Sequence, residues 1–116
     1  MQTEVIAEIG WNFMGDLELA ERMVSAASEA GAAIVKFQYW NPEKLKPGPW
    51  DTDGRKEIYE GAALNAEKLS FLIKTAEKYK VEFLCSAFNV EDALFLSSLG
   101  VRSIKIPSHE TYNTEL

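Results

Sequence analysis

Four short apolar runs alternate along the chain with stretches whose apolar residues recur at helical spacing. The runs are rich in β-branched and aromatic residues, as buried strands are, and they cover residues 3–9, 33–38, 81–86 and 101–106. In the first intervening stretch, Ala20, Val24 and Ala27 fall on one side of a helix. The pattern therefore predicts four strands with three helices between them.

Capping residues mark the ends of the predicted helices. Asp16, Asn65 and Asn89 precede the three helices, and their side-chain oxygens can accept hydrogen bonds from the free N–H groups of a first turn. Gly31 and Gly100 follow two of the helices, where a left-handed glycine commonly ends a helix. These residues therefore set the predicted boundaries.

Strands that alternate with helices predict parallel pairing through right-handed crossovers. The predicted fold class is therefore α/β, a parallel (β/α)8 TIM-type barrel of which about the first four strands and three helices are present. Residues 1–116 would form its amino-terminal half. Four such units leave an open sheet edge, which is a liability unless it is paired. We therefore expect a fragment truncated at its carboxyl end, or a half that associates with more protein.

Alternation along the strands places the polar residues on one face. The apolar face would pack against helices, whereas the other face would point into the barrel. That interior face carries Glu8, Lys36, Gln38, Ser86 and Lys105. Each residue alone could be an ion-pair partner or a surface residue, but a buried lysine is costly unless it is paired or binds an anion. Because active sites of α/β barrels lie at the carboxyl rim, their equivalent placement on four strands favours a site.

The residue types at this rim indicate the chemistry of a ligand. Two lysines with nearby hydroxyls suit a phosphate or a carboxylate, and Glu8 or Glu110 suits an acid–base role or a sugar hydroxyl. His109 is the only histidine, and it is either catalytic or an exposed loop residue. A single histidine cannot define a metal site.

Residues 39–64 break the alternation of strand and helix patterns, because they contain several prolines and glycines. They predict a long loop. A loop of that length inside a compact domain is usually functional. Two interpretations of its aromatic and basic residues stay open. Trp40, Trp50 and Tyr59 could stack on a sugar while Arg55 meets an anion, or these side chains could clamp the loop to the barrel or to a partner subunit.

Composition excludes several classes of function. A formal net charge of −6 and an isoelectric point near 4.8 argue against a nucleic-acid surface and against a polybasic membrane patch. No apolar stretch approaches the roughly 20 residues of a membrane helix. Cys85 is the only cysteine, so a disulfide framework is excluded and a reduced, cytoplasmic setting is expected.

Four segments of the chain resemble, in order and spacing, the motifs of the sialic acid synthase family. They are AEIGWNFMGD at residues 7–16, VKFQ at 35–38, FLCSAF at 83–88 and KIPSHE at 105–110. The resemblance implies a barrel enzyme that condenses phosphoenolpyruvate with an N-acylated amino sugar, such as N-acetylmannosamine, and releases phosphate. It also implies a divalent metal, manganese or magnesium, whose ligands lie outside this chain, and a homodimer at full length.

The resemblance also implies roles for individual residues. Ser86, Lys105 and Ser108 would hold phosphoenolpyruvate, and Gln38 would contact the sugar. Glu8, Lys36 and Glu110 would lie around the reacting carbons as catalytic residues. These seven residues are the predicted site, and none of them is a predicted metal ligand.

Two residues depart from the family motifs at positions that we place on the rim. Phe13 stands where the opening motif usually has histidine, and His109 stands where the fourth motif commonly has glycine. The departures could mark a different acceptor sugar or an altered activity.

Two other functions remain open for the chain. One is a different barrel aldolase or phosphoenolpyruvate-condensing synthase, for example one that acts on a phosphorylated sugar. It would need a second phosphate site, for which Arg55 and Arg102 are the spare candidates. The other is a non-catalytic half-barrel that serves in assembly. We expect the isolated 116-residue chain to be inactive and poorly soluble.

Overall fold

The computed structural model describes residues 3–116, and its four strands form one parallel sheet. Their spatial order β1-β2-β3-β4 follows the order in sequence. A doubly wound sheet would instead reverse its order at a switch point, so the arrangement is that of successive units in a TIM-type barrel. The strands are β1 (Ile6–Gly10), β2 (Ile34–Gln38), β3 (Glu82–Ser86) and β4 (Ser103–Lys105).

The helix caps are where the sequence predicts them. The side chains of Asp16, Asn65 and Asn89 each accept a hydrogen bond from the backbone N–H three residues further on, at 2.8–3.0 Å. Gly31 and Gly100 have φ values of 88° and 84°, the left-handed conformation that ends a helix. The helices of the described residues are α1 (Leu17–Glu29), α2 (Arg55–Ala62), α3 (Ala66–Lys78) and α4 (Val90–Ser98).

Helix α2 corrects the expectation of three helices, because it lies inside the predicted loop. Asp53 stabilises its first turn by accepting a hydrogen bond from the backbone N–H of Arg55 at 3.2 Å. The apolar residues Ile58 and Ala62 are four apart and share a face of the helix. Gly54 at the start and Gly61 near the end of α2 hid the helical spacing of these residues, since glycine usually indicates a break in a helix.

The predicted division of the sheet into two faces is confirmed. The hydrophobic core lies between the apolar face and the helices, and Val35, Phe37 and Cys85 are fully buried in it. The ring of Phe37 lies between those of Phe13 and Phe83, with centroid distances of 5.8 Å and 5.5 Å. An edge-to-face contact of Phe13 and a stacked contact of Phe83 with the same ring therefore tie the first loop to the second and third strands.

The two outer strands are shorter than predicted. Strand β1 begins at Ile6 and β4 contains only three residues. Val5 and Ile106, apolar residues of the predicted first and fourth strands, are 57% and 38% exposed and lie outside the observed strands. Each outer strand has a neighbour on one side only, so fewer ladder hydrogen bonds define its ends. Among the described residues, no helix is long and apolar enough to span a membrane.

Candidate active site at the carboxyl rim of the sheet

Three of the predicted residues lie side by side across the sheet. Gln38 is the register partner of Ser86, and Ser86 is the register partner of Lys105. Neighbouring strands are about 4.8 Å apart, so three polar side chains follow one another across β2, β3 and β4. Ser86 is buried, Gln38 is half-buried and Lys105 is exposed. We call these three residues the polar row.

A pair of charged residues lies nearer to the amino ends of the strands, two residues before Gln38 on β2. Glu8 of β1 is the register partner of Lys36 of β2, and the Lys36 ammonium forms an ion pair with the Glu8 carboxylate. Lys36 is 7% exposed, whereas half of the Glu8 side chain reaches solvent. Pairing compensates the cost of burying this lysine, so the ion-pair interpretation holds for these two residues.

A cleft of about 650 Å³ opens above the polar row. Its volume is within the range of small-molecule sites. It contains six of the seven predicted site residues, namely Lys36, Gln38, Ser86, Lys105, Ser108 and Glu110. Glu8 does not line the cleft and touches it only through Lys36. The structure therefore brings together residues that are up to 74 positions apart in sequence, from Lys36 to Glu110.

Glu110 lies in a short 3-10 turn, Ser108–Glu110, that follows β4. Its carboxylate is buried and accepts hydrogen bonds from Asn113 Nδ2 at 3.1 Å and from Lys46 Nζ at 3.3 Å. The hydrogen bond from Asn113 lowers the pKa of Glu110, burial opposes it, and Lys46 lowers it further. Glu110 is therefore ionised at neutral pH and can accept a proton or a hydrogen bond.

The two departures from the family motifs lie in different places. Phe13 is 1% exposed and belongs to the core, so the expectation that it lies on the rim is wrong. The side chain of His109 does line the cleft, where it is 63% exposed and stacks on Phe88 with 5.5 Å between the ring centroids. Of the two, only His109 can therefore contact a ligand directly.

The loop between β2 and α3 contributes basic residues that the sequence interpretation missed. Lys44 and Lys46 both line the cleft, and they pair with Glu91 at 2.5 Å and with Glu110 at 3.3 Å. The proposed anion-binding role of Arg55 is not supported, because its guanidinium forms hydrogen bonds with Asp53 outside the cleft. Lys44 and Lys46 are recognised as cleft residues only by their ion pairs with Glu91 and Glu110. Those partners are distant in sequence, so no sequence pattern predicts the pairs.

Aromatic side chains form the wall of the cleft above β1 and β2. The ring of Tyr59 has the rings of Trp11, Trp40 and Trp50 around it, with centroid distances of 5.7–6.2 Å. Trp40 is buried and its indole N–H donates to the backbone oxygen of Tyr59 at 3.1 Å. Trp40 therefore clamps the loop, whereas Trp11, Trp50 and Tyr59 remain partly accessible from the cleft.

Neither metal ligation nor thiol chemistry is offered by the described residues 3–116. Within residues 3–116, no three His, Cys, Asp or Glu side chains converge so as to hold a metal ion. Burial raises the pKa of the Cys85 thiol well above its usual range, so it stays protonated and unreactive at neutral pH. The described residues therefore offer the cleft binding groups and the ionised carboxylate of Glu110.

The sequential parallel sheet and its polar carboxyl rim place this protein in the class of TIM-type α/β barrels. The chain belongs to the NeuB family, whose profile matches residues 23–116. It is 35% identical to the N,N'-diacetyllegionaminic acid synthase of Legionella pneumophila, with 94% of this chain aligned to 34% of that protein. It is 32% identical to the N-acetylneuraminate-9-phosphate synthase of Drosophila melanogaster, over 97% of this chain and 33% of that one.

A solved structure has the same fold. The N-acetylneuraminic acid (sialic acid) synthetase of Leptospira borgpetersenii, in complex with citrate, superimposes with a TM-score of 0.84 and 28% identity. The match covers 99% of this chain and 39% of the Leptospira chain. The chain thus spans about a third of the length of the relatives that it matches.

Proposed function

We propose that the protein containing this chain condenses phosphoenolpyruvate with an N-acylated amino sugar to form a nonulosonic acid. C3 of phosphoenolpyruvate would attack the aldehyde carbon of the open-chain sugar, water would add at C2, and phosphate would leave. The relatives described above are all named for the synthesis of such acids. Membership of the NeuB family supports the proposal.

The polar row is the observation that carries the proposal. Among the cleft lysines in residues 3–116, Lys105 is the one without a carboxylate in ion-pair contact. It is the register partner of Ser86 on the neighbouring strand, and Ser108 begins the turn just beyond β4. An unpaired ammonium with two hydroxyls is suited to a phosphate or carboxylate group. We therefore assign the phosphoenolpyruvate to Ser86, Lys105 and Ser108.

The remaining predicted residues would act on the sugar and the reacting carbons. Glu110 is ionised and faces the same cleft, which suits it to accept a proton from a hydroxyl group or from the attacking water. Gln38 has an amide that can donate and accept hydrogen bonds with sugar hydroxyls. Lys36, held in place by Glu8, would place a positive charge near developing negative charge.

The metal, the assembly and the location belong to the same proposal. A divalent ion, manganese or magnesium, would polarise the sugar aldehyde, and its ligands would come from outside this chain. The protein would act as a homodimer in the cytoplasm, where phosphoenolpyruvate is available and Cys85 stays reduced.

Phosphate release tests the proposal. The protein expressed from its complete reading frame would be mixed with phosphoenolpyruvate, manganese and a panel of N-acylated amino sugars. We expect phosphate release that requires both a sugar and phosphoenolpyruvate, together with a nonulosonic acid detected by mass spectrometry. Phosphate release with non-acylated sugar phosphates alone would favour a different phosphoenolpyruvate-condensing synthase. No release with any sugar would contradict the proposal.

A further inference from the structure

The aromatic wall of the cleft is not used by the proposed chemistry. It consists of Trp11 from the loop after β1, Trp50 from the loop after β2, and Tyr59 from α2. These three side chains come from separate parts of the chain, yet their rings contact one another through Tyr59. All three are partly exposed and line the cleft. They therefore form a continuous apolar surface that a ligand can reach.

Two indole N–H groups at this wall already have hydrogen-bond partners. The indole N–H of Trp50 donates to the backbone oxygen of Lys46 at 2.8 Å, and the indole N–H of Trp40 behind it donates to Tyr59. Trp50 therefore has no free donor for a sugar hydroxyl and offers only the apolar surface of its ring. A hydroxyl placed against it would lose its hydrogen bonds to water, which costs free energy.

Charged side chains near the wall are also already engaged. Arg55, one turn before Tyr59 on α2, is paired with Asp53, and the loop lysines Lys44 and Lys46 are paired with Glu91 and Glu110. Within the described residues, the unpaired lysine of the cleft is Lys105, on the β4 side. The wall above β1 and β2 therefore suits an uncharged substituent and not a second phosphate.

We propose that Trp11, Trp50 and Tyr59 form a specificity-determining subsite for a methyl group of the acceptor sugar. This inference rests on the proposed function, because it assigns the part of the acceptor that faces away from phosphoenolpyruvate. Two methyl groups have the required chemistry, the methyl of an N-acetyl group and the methyl of a 6-deoxy carbon. Contact with an aromatic ring stabilises either one without needing a hydrogen bond.

Matched pairs of acceptors identify the methyl group. The first pair is an N-acetyl and an N-formyl hexosamine, and the second is a 6-hydroxy and a 6-deoxy form of the same N-acetyl sugar. In one of these pairs we expect the methyl-bearing sugar to have about tenfold higher kcat/KM, the usual effect of one methyl group in an apolar pocket. Trp50→Ala should abolish that preference and raise the KM of the acceptor, while the KM of phosphoenolpyruvate stays within twofold.

Three controls keep the inference testable. Trp50→Leu retains apolar contact and should keep part of the preference, while Tyr112→Ala removes an aromatic side chain that is 93% exposed and outside the cleft, and should change nothing. Trp11→Ala removes a second ring of the wall and should also reduce the preference for the methyl-bearing sugar. A wild-type protein without preference in either pair, or a preference that survives both alanine variants, would overturn the inference. Absence of phosphate release with every sugar would instead overturn the proposed function on which it rests.

Discussion

The cleft has two walls that are built in different ways. The polar row is carried by three adjacent strands, and the register of the sheet fixes the order and spacing of its members. The second wall consists of Trp11, Trp50 and Tyr59, which come from the loop after β1, from the loop between β2 and α3, and from α2 within that loop. Its positions depend on contacts between side chains and not on a ladder. The sheet register therefore fixes the polar groups of the first wall, whereas side chains of the second wall can be changed without altering the sheet.

The largest predicted effect concerns a cleft lysine on a strand, for comparison with a cleft lysine on the loop between β2 and α3. Replacing Lys105 with methionine keeps a long side chain but removes the charge assigned to phosphoenolpyruvate. We expect kcat/KM for phosphoenolpyruvate to fall about a thousandfold, as happens when one partner is removed from a charge pair that ligand binding buries. Steady-state phosphate release measures this value.

Lys44→Met provides the matched control from the loop. Lys44 also lines the cleft, but it pairs with Glu91, which is largely exposed. Exposed pairs contribute little, so we expect less than a twofold change in kcat/KM. Equal losses in the two variants would show that the strand-borne lysine has no special role and would contradict our assignment.

The strand-borne wall is the part that the sequence predicts well. Alternation has a period of two in any strand, so the interior positions of Lys36, Ser86 and Lys105 follow once the strands are located. Successive βα units then align the carboxyl ends at one rim. The prediction was less successful at the outer strands, because one neighbour defines their ends less strictly than two.

The loop-borne wall could not be predicted in the same way. Lys46 meets Glu110 across 64 positions of sequence, a separation to which no periodicity applies. The burial of Phe13 was also missed, since a loop residue in a motif suggests the rim, whereas its ring packs on Phe37. Both cases depend on where a loop turns relative to the sheet, and that is decided by long-range packing.

Gly15 provides a test of how the loop-borne wall is attached. It has a φ of 83°, and a Cβ atom there would lie 2.3 Å from the backbone oxygen of Gly61 in α2. Gly15→Ala should therefore lower the free energy of unfolding by about 3 kcal/mol, from left-handed strain and from forced displacement of α2. Urea denaturation measures this loss.

Gly31→Ala isolates the part of that loss that comes from strain. Gly31 has a similar φ of 88°, but a Cβ atom there would meet nothing within 4 Å. We expect a loss of only about 1 kcal/mol. Equal losses at the two glycines would mean that contact between the β1 loop and α2 does not hold the wall in place.

The smallest predicted effects concern two buried carboxylates that line the cleft, Glu110 and Asp92. The hydrogen bond from Asn113 lowers the pKa of Glu110, so its contribution to stability is present above the unfolded value near 4.5 and is lost as the pH falls through the lowered pKa. Burial raises the pKa of Asp92 in α4, so its contribution is present below the unfolded value near 3.8 and is lost as the pH rises through the raised pKa.

Acidification should therefore change the stability difference between wild type and variant in opposite directions for the two variants. Glu110→Gln should be about 1 kcal/mol less stable than wild type at pH 7, and this difference should disappear towards pH 3. For Asp92→Asn, acidification should instead favour the wild type, because protonation relieves its buried charge. Thermal unfolding of the three proteins between pH 3 and 7 measures both trends. If the two variants followed the same trend, Asn113 and Lys46 would not hold Glu110 ionised, and the general-base role that we propose for it would lose its physical basis.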